Sequence, residues 1–547
     1  MATALQLTDK AKKLANAGQF ENAIALLKQS LSLDPNQADA WQHIGYISIF
    51  GTVDFAAAVD ALAQALTLDP TDAQTYYLMG YVSQQMNQID DSIELFRIGL
   101  EYDPAHVEML SFLGMGYLYK RKFDDAKMLV LQALSLKPDN IKVFLNALNI
   151  AEILHLEDFE RAQITSAIKK VEKLPDFKEN ILLFEAKELF SEKQYDEAKK
   201  RLSKIKDNIE QLGAAKNFLL ADIARREGNH EAAHGFYAKA NRMQKNSTEG
   251  RRYKLETITN LIDDTLDLLD QDFSKDIETV IKQNKIERPY PDPVFLIGFP
   301  RSGTTLTGKI LDTHPQLFTA DEFSAIDQIK VHMQQQYGLD LPRDIPKLTS
   351  EHLTFMHNLY NLKQSGLPAA QQDHIFIDKM PLNTLHVPII HALFPNARFI
   401  YVTRHPLDSV LSSFMQYFAL NAAMYHFLDI ETAAHLYKRT RELWLKEKEI
   451  LPLKYHELRY ENLVNNFDKE VGKMLEFIGV PWDDAVHEFY KERADGPTTL
   501  SPSRTQITGK LTSEPQGRWK KYRPHLEKAI EVLEPVITEL GYDLDKN

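Results

Sequence analysis

Apolar residues recur at helical spacing from the start of the chain. Ala23, Leu26, Leu27 and Leu31 mark one stripe, and Ala126, Leu129, Val130 and Leu134 another, each at the same offsets from the Pro that follows. A stripe of that period predicts amphipathic helices. The punctuation repeats as well. Pro35, Pro70, Pro104 and Pro138 are spaced by 35, 34 and 34 residues, and Gly45, Gly80 and Gly114 by 35 and 34. Proline cannot continue a helix and so sets the turn between units, while glycine lets paired helices approach closely. The pattern predicts an all-α array of helix pairs over residues 1–150. Residues 151–285 continue as helices with a weaker period, and Phe190-Ser-Glu-Lys-Gln-Tyr-Asp-Glu-Ala198 and Arg225-Arg-Glu-Gly-Asn-His-Glu-Ala-Ala233 read as inter-helix turns.

A 34-residue period with a small residue at the helix crossing resembles the tetratricopeptide repeat. That resemblance implies a solenoid whose groove takes a peptide or protein partner, or else a scaffold surface.

The pattern changes near residue 286. Pro289-Tyr-Pro-Asp-Pro293 is a rigid, turn-prone linker, followed by the apolar run Val294-Phe-Leu-Ile-Gly298. Further strand candidates are His374–Asp378, Arg398–Thr403 and the stretch around Tyr455–Tyr460, with helical patterns between them. Strands alternating with helices predict an α/β domain with a central parallel sheet over 286–547. The chain is thus read as multidomain: an all-α solenoid over 1–150, degenerate helical repeats or linker helices over 151–285, then the α/β domain.

Composition narrows the chemistry. A net charge of −13 in 547 residues argues against a nucleic-acid partner, and the absence of cysteine excludes disulfides, zinc–thiolate sites and cysteine nucleophiles. Met1–Lys13 has no apolar signal core and no stretch reaches the length of a membrane span, so a cytoplasmic protein is expected.

The candidate site begins at the end of the first strand. Gly298-Phe-Pro-Arg-Ser-Gly-Thr-Thr305 leads into Leu306–Leu311, a strand–glycine loop–helix unit. Such a unit aims backbone N–H groups and a helix dipole at one point, which is an anion site. The spacing G-x-x-x-x-G of the nucleotide triphosphatase loop is kept, but its Lys is replaced by Thr304 and a cation stands at Arg301 instead. ATP or GTP hydrolysis is therefore not expected. A second anion site is read in Arg404-His-Pro-Leu-Asp-Ser-Val-Leu-Ser412, where Pro406 suits the first turn of a helix and Asp408 suits its N-terminal dipole. Asp378, at the end of an apolar strand, matches a Mg²⁺-binding Asp of P-loop kinases, a reading weakened by the missing lysine.

Pro300-Arg-Ser-Gly-Thr-Thr-Leu306 resembles the 5′-phosphosulfate loop of sulfotransferases, and the chain is similar to the tyrosylprotein sulfotransferase branch in bacterial proteins that join tetratricopeptide repeats to such a domain. The resemblance implies a P-loop-like fold, 3′-phosphoadenosine 5′-phosphosulfate as co-substrate and no metal. It implies that Arg301, Ser302, Gly303, Thr304 and Thr305 hold the 5′ end and that Arg404 and Ser412 grip the 3′-phosphate. It also assigns nucleotide contacts to Tyr460, in Leu458-Arg-Tyr-Glu-Asn-Leu-Val464, and to Ser503 and Arg518 of the closing segment, where the family carries Lys in place of Arg518. Glu322, 21 residues after Arg301, matches the catalytic base, with Asp321 as competitor, and Lys379 matches the catalytic lysine. The acceptor implied is a protein or peptide tyrosine. A carbohydrate, lipid or small-molecule hydroxyl, and a non-catalytic adaptor with a relic domain, remain as alternatives.

Overall fold

The computed structural model describes residues 3–86, 88–208, 210–284, 291–322, 325–365, 374–490 and 516–544. Contacts divide the chain into two units, residues 1–181 and 182–547.

The first unit is a series of antiparallel helix pairs. They are Ala4–Asn16 with Phe20–Leu33, Ala38–Ile47 with Phe55–Leu68, Ala73–Gln85 with Ile89–Tyr102, and Val107–Tyr119 with Phe123–Leu136. Every second helix stops two residues before its Pro, as the sequence requires. The glycines sit where the partner helix presses closest. A Cβ at Gly45 would lie 2.5 Å from Leu62, at Gly80 2.5 Å from Phe96, and at Gly114 2.6 Å from Val130. The unit runs past the boundary expected at residue 150, through Ile141–Ile153 and Asp158–Val171. The Pro and Gly marks cease there, but the buried stripe of Val143, Phe144, Ala147, Ile164, Ala167 and Val171 does not.

The second unit is built on a five-stranded sheet. Its strands are β1 Val294–Gly298, β2 Leu317–Asp321, β3 Ile375–Lys379, β4 Arg398–Thr403 and β5 Lys454–Arg459, all parallel, in the order β2-β3-β1-β4-β5. β2 was not expected from the sequence. It is an edge strand of Leu-Phe-Thr-Ala-Asp, too short and too mixed for a period to show, and only pairing with β3 makes it a strand. Alternate residues face opposite sides. Val294, Leu296, Ile400 and Val402 pack under the helices Thr304–Asp312 and Phe467–Ile478, while Phe295, Ile297, Phe399 and Tyr401 join the larger core. That larger core includes Phe218, Tyr237, Ile262, Phe273 and Ile277 from the helices Glu210–Arg226, His230–Asn246, Glu256–Leu268 and Gln271–Gln283. The helices Glu210–Arg226 and His230–Asn246 pair with each other across the turn read at 225–233, and their apolar sides also join the core of the sheet domain.

Candidate functional site

Five parallel strands open their carboxyl ends on one edge. Those ends are Gly298, Asp321, Lys379, Thr403 and Arg459, and each meets a candidate residue within a few positions. The chain leaves β1 toward β3 and β2 and returns to place β4 on the other side of β1. Connections departing on opposite sides leave a crevice between these strand ends, where open α/β sheets bind ligands.

The loop after β1 is shaped by two glycines. Gly298 has φ 148° and a Cβ there would lie 2.6 Å from the Val402 carbonyl oxygen; Gly303 has φ 112° and its Cβ would lie 2.5 Å from the Tyr460 ring. Between them Arg301 takes φ 67°, a left-handed conformation that costs a non-glycine residue of order 1–3 kcal/mol. Ser302 is fully buried, and its hydroxyl has no hydrogen-bond partner among the described residues. A buried hydroxyl left unsatisfied destabilises the fold unless a ligand supplies the partner. The donor set of this loop thus fits an oxyanion. Thr304 and Thr305, also buried, open the helix Thr304–Asp312 behind it.

The two predicted anion sites form one cluster. Arg301 donates from Nε to the Ser412 hydroxyl at 3.1 Å, and Arg404 donates from Nη1 to the Arg301 carbonyl at 3.1 Å. Ser412 lies on the helix Pro406–Phe414, which begins just past β4. The Arg404 guanidinium stands 4.9 Å from the centre of the Tyr460 ring, so Tyr460 touches both the loop and the second site. Burial, then the guanidiniums of Arg404 and Arg518, push Arg301 down to about 9. Concentrated like charge of this kind favours a bound anion.

Asp408 lies in the first turn of the helix Pro406–Phe414, as expected, and has a second role. It is buried and accepts N–H bonds from Gly517 at 2.7 Å and Trp519 at 2.9 Å, with Arg404 Nη2 4.0 Å away. It ties the segment around Arg518 to the helix that carries Ser412. No local signal could have shown this, because the partners lie more than 100 residues downstream. Arg518 itself is half-buried at the start of the helical turn Arg518–His525, beside the fully buried Trp519. Ser503 lies outside the described residues.

On the other side of β1, Asp321 pairs in register with Lys379, and the next residue, Glu322, donates its backbone N–H to the Lys379 carbonyl at 2.8 Å. Glu322 has φ 54°, a second strained non-glycine at a strand end. Its Oε1 is 3.9 Å from Lys379 Nζ; the Glu322 side chain is 53% exposed and that of Lys379 2%. The carboxylate is exposed and the cation buried. Asp378 is committed inward instead. It accepts from Tyr360 Oη at 2.9 Å and Asn383 Nδ2 at 3.2 Å, and burial pushes its carboxyl up to about 8. Such a group is a neutral structural acid near pH 7, not the exposed carboxylate a Mg²⁺ ligand requires.

Comparison with known proteins agrees with this geometry. Residues 293–484 match the sulfotransferase family model, and residues 8–73 and 73–106 match tetratricopeptide repeat models. An uncharacterized protein of Aquifex aeolicus is 27% identical over 330 residues, 59% of this chain, and this chain spans only 42% of that protein's length. Protein-tyrosine sulfotransferase 1 of Danio rerio is 26% identical over 265 residues, covering 46% of this chain and 73% of the fish protein. Protein-tyrosine sulfotransferase of Drosophila melanogaster is 24% identical over 269 residues, 46% of this chain and 51% of its own. The solved sulfotransferase domain from the curacin biosynthetic pathway is 18% identical, at a TM-score of 0.34, over 47% of this chain and 100% of that one. The chain carries tetratricopeptide repeats and a sulfotransferase-family domain. Among the described residues, no helix is long and apolar enough to cross a membrane.

Proposed function

We propose that this sulfotransferase-family domain moves a sulfuryl group from 3′-phosphoadenosine 5′-phosphosulfate to a hydroxyl, and that the acceptor is a tyrosine in a protein or peptide. The nucleotide, when bound, supplies the sulfuryl group and a bisphosphate leaving group. The chain's own residues do the rest. Arg301, Ser302, Gly303, Thr304 and Thr305 hold the 5′ end, and Arg404 and Ser412 the 3′-phosphate, with Tyr460 and Arg518 at their side. Arg301 and Lys379 bring positive charge to where negative charge develops, in a partly desolvated site where it counts for more than in water.

The observation that carries the reaction is the pairing of Glu322 with Lys379 across adjacent strand ends. A phenol has a pKa near 10, so attack at neutral pH requires a positioned base. Glu322 is exposed to an incoming hydroxyl, and its Oε1 accepts the proton while the buried Lys379 stays with the donor side. The strain at Glu322 is the kind retained where a side chain must point at reacting atoms. No step requires a metal. The repeats, for their part, bind the acceptor protein or its partner.

Calorimetric titration with 3′-phosphoadenosine 5′-phosphate and with ATP tests the donor: the bisphosphate is expected to bind and ATP is not. Incubation with labelled donor and a panel of tyrosine peptides, sugars, lipids and small hydroxyl compounds tests the acceptor. Labelling of sugars or lipids in place of peptides overturns the tyrosine assignment, and no transfer to any acceptor despite bisphosphate binding overturns the enzymatic one. Chelators are expected to leave the rate unchanged.

A further inference from the structure

Glu322 holds a backbone conformation that few residues tolerate, with φ 54° just past the end of β2. Such strain persists only where the surrounding structure fixes the chain on both sides. On the near side the sheet does so: β2 pairs in register with β3 up to Asp321 and Lys379, and the Glu322 N–H reaches the Lys379 carbonyl. On the far side the helix Ala325–Tyr337 begins three residues after Glu322. Its residues Ala325, Ile326, Ile329 and Met333 are buried in the larger core. That packing docks the helix, but apolar contact is non-directional and does not by itself set how the first turn is presented.

A polar bond supplies the direction. His386 Nε2 donates to Oδ1 of Asp327, in the first turn of this helix, at 2.9 Å. His386 closes the helical turn Pro381–His386, which starts two residues after Lys379. That turn is itself tied down. Asn383 Nδ2 donates to the buried Asp378 carboxyl at 3.2 Å, and Thr384 Oγ1 donates to the Pro381 carbonyl at 3.0 Å. The His386 side chain is 7% exposed and that of Asp327 57%. His386 Nδ1 is buried without a hydrogen-bond partner among the described residues, so the bond to Asp327 orients the ring there. The same two stretches of chain are thus joined twice, by Glu322 with Lys379 and then by Asp327 with His386.

We infer that Asp327 and His386 are positioning residues for Glu322: their bond fixes the helix start that follows Glu322 against the turn that follows Lys379, and so holds the Glu322 carboxylate in place beside Lys379. The inference rests on the reading of Glu322 as the base. The two residues act on the rate through Glu322 and not through the donor. The dependence is steep, because a misplacement of about 1 Å at reacting groups costs about 10²-fold in rate.

The test is a mutant cycle on the full chain. Its readouts are single-turnover transfer from labelled 3′-phosphoadenosine 5′-phosphosulfate to a tyrosine peptide, and calorimetric affinity for adenosine 3′,5′-bisphosphate. Asp327→Ala, at a largely exposed side chain, is expected to lower the rate about 10–10²-fold and to keep the bisphosphate affinity within about twofold. His386→Phe, which keeps the ring volume and removes the bond, should match it. Asp327→Asn and His386→Gln each keep a hydrogen-bonding atom near the one replaced and should stay within about fivefold of wild type. In a Glu322→Gln background Asp327→Ala should cost less than about twofold, because changes that act through one group do not add. An Asp327→Ala rate equal to wild type, an undiminished loss in the Glu322→Gln background, no rescue by the conservative variants, or a parallel loss of bisphosphate affinity would each overturn the inference and leave the base reading intact. A wild type that does not sulfate the peptide, or a Glu322→Gln enzyme at full rate, overturns the base reading and this inference with it.

Discussion

The helix pairs of the first unit and the strand ends of the second both depend on glycine, for opposite reasons. Gly45, Gly80 and Gly114 have ordinary helical backbones, and what excludes a side chain is the partner helix: Leu62, Phe96 and Val130. Gly298 and Gly303 have φ of 148° and 112°, and what crowds them is a backbone carbonyl and a ring of the site itself. The polar groups differ in the same way. Caps in the repeats are local, as with Asp54 to Ala57 and Asn140 to Val143. In the sheet unit, buried or half-buried charges reach across the sequence: Arg301 to Ser412, Arg404 to Arg301, Asp408 to Gly517 and Trp519. Repetition spends its special residues on packing. The sheet edge spends them on holding charge in place, which only a ligand or a reaction explains.

The comparison breaks most sharply if the strand-end charges prove dispensable. Arg301→Ala is expected to lower the transfer rate by about 10³-fold or more, as loss of a preorganised charge does, in a single-turnover assay with labelled donor. Glu322→Gln should cost about 10²–10⁴-fold in rate while bisphosphate affinity stays within a factor of two; parallel loss of both would make Glu322 a binding residue and not a base. A glycine exchange then sharpens the contrast. Gly303→Ala is expected to weaken bisphosphate binding by about 10-fold or more through strain against Tyr460. Gly80→Ala should leave that affinity untouched and destabilise the first unit by about 1–3 kcal/mol, the usual scale of overpacking, seen in urea unfolding.

The smallest effect concerns Asp378. Its folded-state pKa, about 8, lies above the ordinary carboxylate value near 4. A raised folded value means its stabilising contribution is full below about pH 4 and drains as pH rises toward 8, since the unfolded chain ionises first. Asp378→Asn removes that loss. The melting temperature of the variant relative to wild type should rise between pH 5 and pH 8 and then level off. A difference flat with pH would show that the carboxyl is ionised in the fold.

The repeats were legible in the sequence because their information is periodic: the Pro spacing places the end of every second helix up to Leu136, and the Gly spacing marks where paired helices cross. The phosphate loop was legible because a turn between β1 and its helix needs its glycines in a row. β2 was not, since an edge strand of five residues carries no pattern of its own. Asp408 was legible only in part, for a related reason. From the sequence it is a residue near a helix start; only the return of the chain at Gly517–Trp519 makes it a clamp.

By itself the sequence determined the elements that depend on neighbours in the chain: helix stops at proline, glycines at crossings, and the order of strand, loop and helix around Arg301. The tertiary structure decided what those elements bring together. It set Glu322 over Lys379 by pairing two strand ends and drew Arg301, Arg404 and Ser412 into one cluster. Local backbone preferences act over a few residues and leave a mark at each position. Charge placement acts through space, and its partners leave no mark until the sheet has formed.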